Sequence, residues 1–327
     1  MISLNEIIEC SSYADIPDMF HWGHFRGQHI TEAPPDNSLV YCAIDDCAAF
    51  FASHGNNGRN YTLVSACSDF GLAEQSEYPW YEDCLNNLRY RFSTMGTQYF
   101  SADVNPALFN AVHFVDSRCN SSHKFSVRST SKTWYTFDEI PLNIKSWHQT
   151  NLQYWDDSRL CGLPFGVAEG TKETLYKVMR DTELLNKKDL IYCNFGQTTH
   201  ERSAILHNLN KLNNPKLTIR ENVPHEEYLR EMAAHKYVLC PSGQGLDTYR
   251  FAEAIYLGCT PIIDINSYDL IRIFKKFDYN AIRLPIVYML TMNNETISEI
   301  ISGGRSRLYM PTLSDITIML SESKERH

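Results

Sequence analysis

From Asp189 onward the chain repeats one cadence: a short apolar run, a polar or glycine-rich turn, then a stretch of helix length. Asp189-Leu190-Ile191-Tyr192-Cys193-Asn194-Phe195 reads as a strand running through Gly196-Gln197-Thr198-Thr199 into a helix from His200 to about Leu212. Val223 to Met232 opens a second helix with Pro224, Glu226 and Glu227 in its first turn, where geometry and the helix dipole favour them. Lys236 to Cys240 supplies a strand, and Pro241 to Leu246 a turn. A helix from Asp247 to Leu257 then ends at Gly258, and Pro261-Ile262-Ile263 begins another buried strand. Repeated β-loop-α units of this kind specify a parallel sheet, so the second half is expected to be a parallel sheet covered by helices.

The first half carries the cadence more faintly. Apolar runs at Leu39 to Ile44, Tyr61 to Ala66 and Ala111 to Val115 read as buried strands, with helix-compatible stretches at Trp80 to Phe92 and Pro106 to Asn110. Ser117 to Thr133 is polar, has neither period, and forms a loop or an irregular hairpin. At 327 residues the chain exceeds one Rossmann-type unit, and two cores are expected, divided as 1–165 and 166–327.

Composition narrows the function classes. Thirty Lys+Arg against 39 Asp+Glu leave a formal charge of −9, which disfavours broad binding to nucleic-acid backbones but permits a local basic site for a small anion. The start, Met1 to Cys10, carries Asn5, Glu6 and Glu9 in place of a basic, then apolar, leader, and no apolar run is long enough for a membrane span. The cytosol is therefore the default compartment, a host's if the chain is viral. The ten cysteines are scattered without paired metal spacings and read as reduced, buried thiols. Without a leader, the acceptor patterns at Asn60, Asn120 and Asn294 are what chance supplies.

The chemistry concentrates between Cys240 and Ile263. Ser242, Gly243 and Gly245 let the backbone approach a ligand, and the free N–H groups opening the next helix suit a phosphate. At about 100° per residue Asp247, Arg250 and Glu253 share a polar stripe that begins there. Arg250 could clamp a phosphate, and Glu253 or Asp247 could accept from sugar hydroxyls. By itself the run also fits a tight turn followed by a solvated helix face with an Arg250/Glu253 ion pair. It lacks the third glycine of a dinucleotide fingerprint and the lysine of a P-loop, so neither NAD nor ATP follows.

The run resembles the signature of exostosin-like glycosyltransferases, including compact forms found in large DNA viruses and bacteria: P-x-G-x-G-x-D-x-x-R-x-x-E-A-L-x-x-G-x-x-P-I. The chain supplies Pro241, Gly243, Gly245, Asp247, Arg250, Glu253, Ala254, Gly258, Pro261 and Ile262, with Ile255 for the usual Leu and Ala252 where an aromatic is frequent. Tyr228-Leu229 and Tyr237-Val238-Leu239-Cys240 are similar to the elements leading into it. Trp147 to Asn151 and Leu163-Pro164-Phe165-Gly166-Val167 resemble segments near the family's interdomain crossover, and Asn194-Phe195 with Thr198, Thr199 and Arg202 its first phosphate-side loop. Likeness covers most of 145–263; before that there is an echo at Tyr61 to Gly71, a strand followed by Ser68-Asp69-Phe70-Gly71.

The resemblance implies a GT-B fold: two Rossmann-like domains facing across a cleft, the N-terminal one for a saccharide acceptor and the C-terminal one for a nucleotide diphosphate sugar, most commonly UDP-linked in that family. The implied reaction inverts the anomeric centre and requires neither a catalytic metal nor a resident cofactor. Arg202 and Arg250 would neutralise the diphosphate. Asn194, Thr198, Thr199 and the loop Ser242-Gly243-Gln244-Gly245-Leu246 would surround the donor, and Glu253 would hold its ribose. Asp247 would touch the donor sugar or cap the helix. Asp69, just past a strand at the carboxyl edge of the first sheet, is the candidate base; an Asp turn accounts for it as well. Asp45-Asp46 as a metal pair, Asp156-Asp157, and a zinc site at His21/His24 are weaker, and His21, His24 and Arg26 either line the cleft or pack. Trp147 reads as core before sugar platform. Rival readings are transfer to a modified nucleobase, a silent nucleotide-sugar or glycan-binding module and, more distantly, a redox protein. Oligomeric state is left open.

Overall fold

The computed structural model describes residues 2–25, 28–66, 73–74, 125–128, 134–137, 139–152, 157–243, 247–264, 281–284, 289–290, 292–303 and 312–325. In chain order the first half supplies β1 (Phe20–Phe25), β2 (Gln28–Ile30), β3 (Ser38–Cys42), helix α1 (Cys47–His54), β4 (Tyr61–Ser65), the short β5 (Ala73–Glu74), β6 (Phe125–Arg128) and β7 (Trp134–Phe137), then β8 (Ile144–Thr150) and β9 (Leu160–Leu163). The first sheet has the order β2-β1-β3-β4-β8-β9 and is parallel except for β2 at its edge. Its strand β4 is buried at every position, as a strand covered on both faces must be. On one face α1 sets Phe50 and Cys47 against Trp22, Val40, Leu63 and Trp147. β5, β6 and β7 form a separate antiparallel trio. β6 falls inside the polar stretch 117–133 and pairs with β7 as a hairpin.

The second half contributes α2 (Lys172–Thr182), β10 (Lys188–Cys193), α3 (His200–Leu212), β11 (Leu217–Ile219), α4 (His225–Ala233), β12 (His235–Cys240), α5 (Tyr249–Tyr256), β13 (Thr260–Asp264), β14 (Ile282–Leu284), α6 (Asn294–Ser302) and α7 (Leu313–Glu325). Its sheet, β11-β10-β12-β13-β14, is parallel throughout. Along β12 the side chains alternate between faces. Val238 and Cys240 join the core under α2, α4 and α5, while Tyr237 and Leu239 join the core under α3 and α6. Two mostly parallel, helix-covered sheets in one chain are the GT-B plan anticipated above. Helix α3 spans the residues expected, but α5 starts at Tyr249, two residues later than read, with Thr248 at its N-cap. The expected elements at Trp80 to Phe92, Pro106 to Asn110 and Ala111 to Val115 lie outside the described residues.

Two segments return across the halves. Ile7 packs into the second-half core and its neighbour Ile8 into the first-half core. Val167 bridges to this segment: Cys10 N–H donates to Val167 O (3.0 Å) and Val167 N–H to Ile8 O (2.9 Å). Gly166 allows this approach, since its φ is +77° and a Cβ there would stand 2.4 Å from Ile8 O. At the other end, α7 covers the remaining face of the first sheet, burying Ile316 and Leu320 beside Leu39, Tyr41 and Val64.

Because Leu320 is fully buried while Ile318 on the same helix is 58% exposed, their truncations should separate. Leu320→Ala is expected to lower stability by about 2–5 kcal/mol and Ile318→Ala by less than about 0.5 kcal/mol in chemical denaturation. Equal effects would mean that α7 does not cover that sheet.

Candidate functional site

In the second sheet the chain leaves β10 toward β11 on one side and returns to β12 on the other. Connections that diverge from adjacent parallel strands open a crevice at the strands' carboxyl ends, and α/β proteins bind ligands there. Asn194 and Phe195 follow β10, and Pro241, Ser242 and Gly243 follow β12, so two of the sequence-derived segments flank this reversal.

Arg250, in the first turn of α5, is aimed by two contacts. Its Nε donates to Asn194 O at 2.7 Å, and its guanidinium carbon lies 5.6 Å from the centroid of the Phe195 ring. Nη1 and Nη2 have no hydrogen-bond partner among the described residues, and the residue is half-buried. A guanidinium oriented through Nε, with neither terminal nitrogen bonded by the described residues, is suited to bidentate binding of an oxyanion. Asn194 is itself held, its Nδ2 donating to Tyr192 Oη at 3.1 Å.

Arg202, expected on the diphosphate, is instead 7% exposed and turned toward protein acceptors. Nε donates to Ser242 O (3.0 Å), Nη2 to Pro241 O (3.1 Å) and Nη1 to Thr198 Oγ1 (3.2 Å). Thr199 is the N-cap of α3, its Oγ1 accepting from Arg202 N–H, while Thr198 is exposed. Gln244, Gly245 and Leu246 lie outside the described residues, as does the candidate base Asp69.

The polar stripe divides. Arg250 and Glu253 do not pair with each other: Glu253 is 4% exposed, its Oε2 accepts from Tyr228 Oη at 2.8 Å, and its Oε1 lies 3.0 Å from His225 Nε2. Burial pushes the Tyr228 hydroxyl well above its usual range, so it stays a proton donor to that carboxylate. Both oxygens of this carboxylate are thus engaged by side chains of α4. His225 was not singled out from the sequence, since a histidine at a helix start carries no signal of the partner it meets in space.

Asp247 precedes the helix and belongs to the junction between halves. Its Oδ2 accepts from Phe165 N–H (2.7 Å), and its own N–H donates to Asn151 Oδ1 (2.8 Å). Phe165 also stacks on Tyr249, centroids 4.7 Å apart. The Asn151 and Leu163 to Val167 segments thus meet at Asp247, the first through its backbone N–H and the second through its carboxylate. It is 2% exposed, Oδ1 has no hydrogen-bond partner among the described residues, and burial pushes its pKa up to about 7 against the pull of the Phe165 and Thr248 amides.

Other candidates have structural places. Trp147 is fully buried and donates from Nε1 to Ser65 Oγ at 2.9 Å. Trp22 is core, and His21 contacts the Tyr41 ring, while the side chains of His24 and Arg26 lie outside the description. Asp46 ends a 3-10 turn, and the Asp45 side chain and Asp156 are not described. Asp157 is bound by Arg159, Oδ2 to Nη2 at 2.6 Å. Cys193 and Cys240 end β10 and β12 as buried thiols; burial pushes Cys193 up to about 12 and Cys240 higher, so neither is a thiolate nucleophile at neutral pH. Among the described residues no group of three His, Cys, Asp or Glu could hold a metal ion, and no helix is long and apolar enough to cross a membrane.

No family model matches the chain. Among solved structures it is similar to spinosyn forosaminyltransferase SpnP, with 11% sequence identity and a TM-score of 0.35, over 88% of this chain and 71% of that one.

The Asp247 carboxyl has its pKa raised on folding from its ordinary 3.8 to about 7. The native state binds the extra proton between those values, so this contribution to stability is complete below about pH 4 and is lost as the pH rises through 7. Asp247→Asn keeps an acceptor for the Phe165 amide and removes the titration. The melting temperature of the wild type is expected to fall relative to that of Asp247→Asn between about pH 5 and pH 8. Parallel curves would show that the carboxyl is not buried at the junction.

Proposed function

We propose that the chain is a glycosyltransferase that moves a sugar, with inversion, from a nucleoside-diphosphate sugar to a saccharide acceptor. The observation that carries this reading is Arg250: it stands at the β10/β12 reversal, oriented through Asn194 and Phe195, with two donor nitrogens unused by the described residues. A departing diphosphate gains charge as the glycosidic bond lengthens, and preorganised donors are worth most where charge develops. Arg250 and the backbone of Ser242 to Leu246 would supply those donors, which makes a metal unnecessary in this scheme. Glu253, fixed by Tyr228 and His225, would accept from the ribose hydroxyls. Asn194, Thr198 and Thr199 would complete the donor's surroundings. UDP is the proposed carrier, on the strength of the exostosin-like pattern alone.

In this reading residues 166–327 bind the donor and residues 1–165 the acceptor. The acceptor oxygen attacks the anomeric carbon from the face opposite the diphosphate, the carbon–oxygen bond to that group breaks, and the hydroxyl proton passes to a carboxylate, for which Asp69 is proposed. Nucleoside diphosphate leaves with the bonding electrons. The cytosol remains the proposed compartment, and the negative overall charge favours a saccharide acceptor over nucleic acid.

A melting-temperature panel of UDP- and GDP-sugars tests the donor, because a ligand bound only by the native state raises the melting point by mass action. One nucleotide class should stabilise the wild type, and Arg250→Ala should weaken that class at least about tenfold, each charge-assisted bond contributing ~1.5–3 kcal/mol. Slow release of nucleoside diphosphate without acceptor should accompany binding. Asp69→Asn should abolish transfer at unchanged nucleotide affinity. Binding without any turnover would favour a silent module, and no response to either class would refute the donor assignment.

A further inference from the structure

The sequence places two arginines beside the phosphate-side loops, and the structure gives them opposite orientations. We propose that Arg202 is a positioning residue that locks together the two loops flanking the β10/β12 reversal and does not itself contact the ligand. The inference rests on reading that crevice as the donor pocket. A single guanidinium reaches across the crevice floor: Nη1 takes Thr198 Oγ1 on the loop after β10, while Nε and Nη2 take the carbonyls of Ser242 and Pro241 on the loop after β12. Its own backbone is fixed by the Thr199 cap at the start of α3.

Two physical consequences follow. Past the end of β12 the carbonyls of Pro241 and Ser242 have no ladder of their own, and acceptors pointing into an anion pocket would repel a phosphate. Arg202 gives both a donor and holds them on the α3 side. Second, the contact leaves no room above it. A Cβ at Gly243 would stand 2.9 Å from Nη2 and 3.3 Å from the guanidinium carbon, so a side chain there would push the hydrogen-bonded end of Arg202 aside. The three acceptors are matched by a planar fork of donors, which a lysine ammonium cannot reproduce.

The charge-preserving variant Arg202→Lys separates this role from direct phosphate binding. UDP is titrated calorimetrically into the wild type, Arg202→Lys, Arg202→Ala, Gly243→Ala and the Gly243→Ala/Arg202→Ala double variant. Amide hydrogen exchange of the peptide covering Pro241 to Gly243 is followed without nucleotide. The lock predicts that Lys loses affinity at least about tenfold, like Ala, and that ligand-free exchange of the peptide accelerates by about tenfold or more in both. It also predicts that Gly243→Ala weakens UDP in the wild type but adds little once Arg202 is removed. Lysine retaining most of the affinity, or exchange at the wild-type rate, would overturn the proposal. Should UDP bind none of the proteins, the donor reading falls, and exchange alone decides the lock: acceleration upholds it, and an unchanged rate removes it.

Discussion

Adjacent parallel strands whose connections depart in opposite directions cannot have the gap between them closed by their own helices. In this chain that constraint acts at β10 and β12, and the rest of the second half is organised by it. Loop backbone, the start of α3 and the start of α5 converge at the strands' carboxyl ends. Arg250 is oriented from there by Asn194 and Phe195, and Glu253 is fixed nearby by α4. The Arg250 guanidinium stands there in a chain whose formal net charge is −9.

The crevice is also tied mechanically to the first half. Asp247 lies directly after the glycine loop, and its backbone and side chain both bond to the crossover segments, at Asn151 and Phe165. Around it, Tyr256 Oη accepts from Ile8 N–H at 3.0 Å and Glu9 Oε1 accepts from the amides of Gly170 and Thr171 at the start of α2. The amino-terminal segment and α7 thus belong to both halves. The start of α5 and the crossover segments share Asp247, whose carboxyl pKa is pushed by burial up to about 7.

The central strands β10, β12 and β13 of the second sheet were legible in the sequence because apolar runs there meet turns with Gly, Pro and Asn, whereas the edge strands β11 and β14, three residues each, are too short to show a period. β8 was not legible as a strand: Ser146, His148, Gln149 and Thr150 are buried polar residues, and burial of polar groups against neighbouring strands leaves no hydrophobic pattern. The return of α7 to the first sheet depends on contacts far apart in sequence, which periodicity does not register. Within the site the residue types were readable but their directions were not. Spacing puts Asp247, Arg250 and Glu253 on one stripe, yet the helix begins after Asp247 and the three side chains meet different partners. Arg202 and Arg250 are equivalent as letters; only the positions of the Pro241 and Ser242 carbonyls distinguish a lock from a clamp.

The most direct test of the account is a crystal structure with UDP bound. It should show phosphate oxygens about 2.7–2.9 Å from the terminal nitrogens of Arg250, above the Ser242–Gly243 backbone, with Arg202 still on the Pro241 and Ser242 carbonyls. Nucleotide seated elsewhere, or Arg250 turned away from a diphosphate in this crevice, would contradict it.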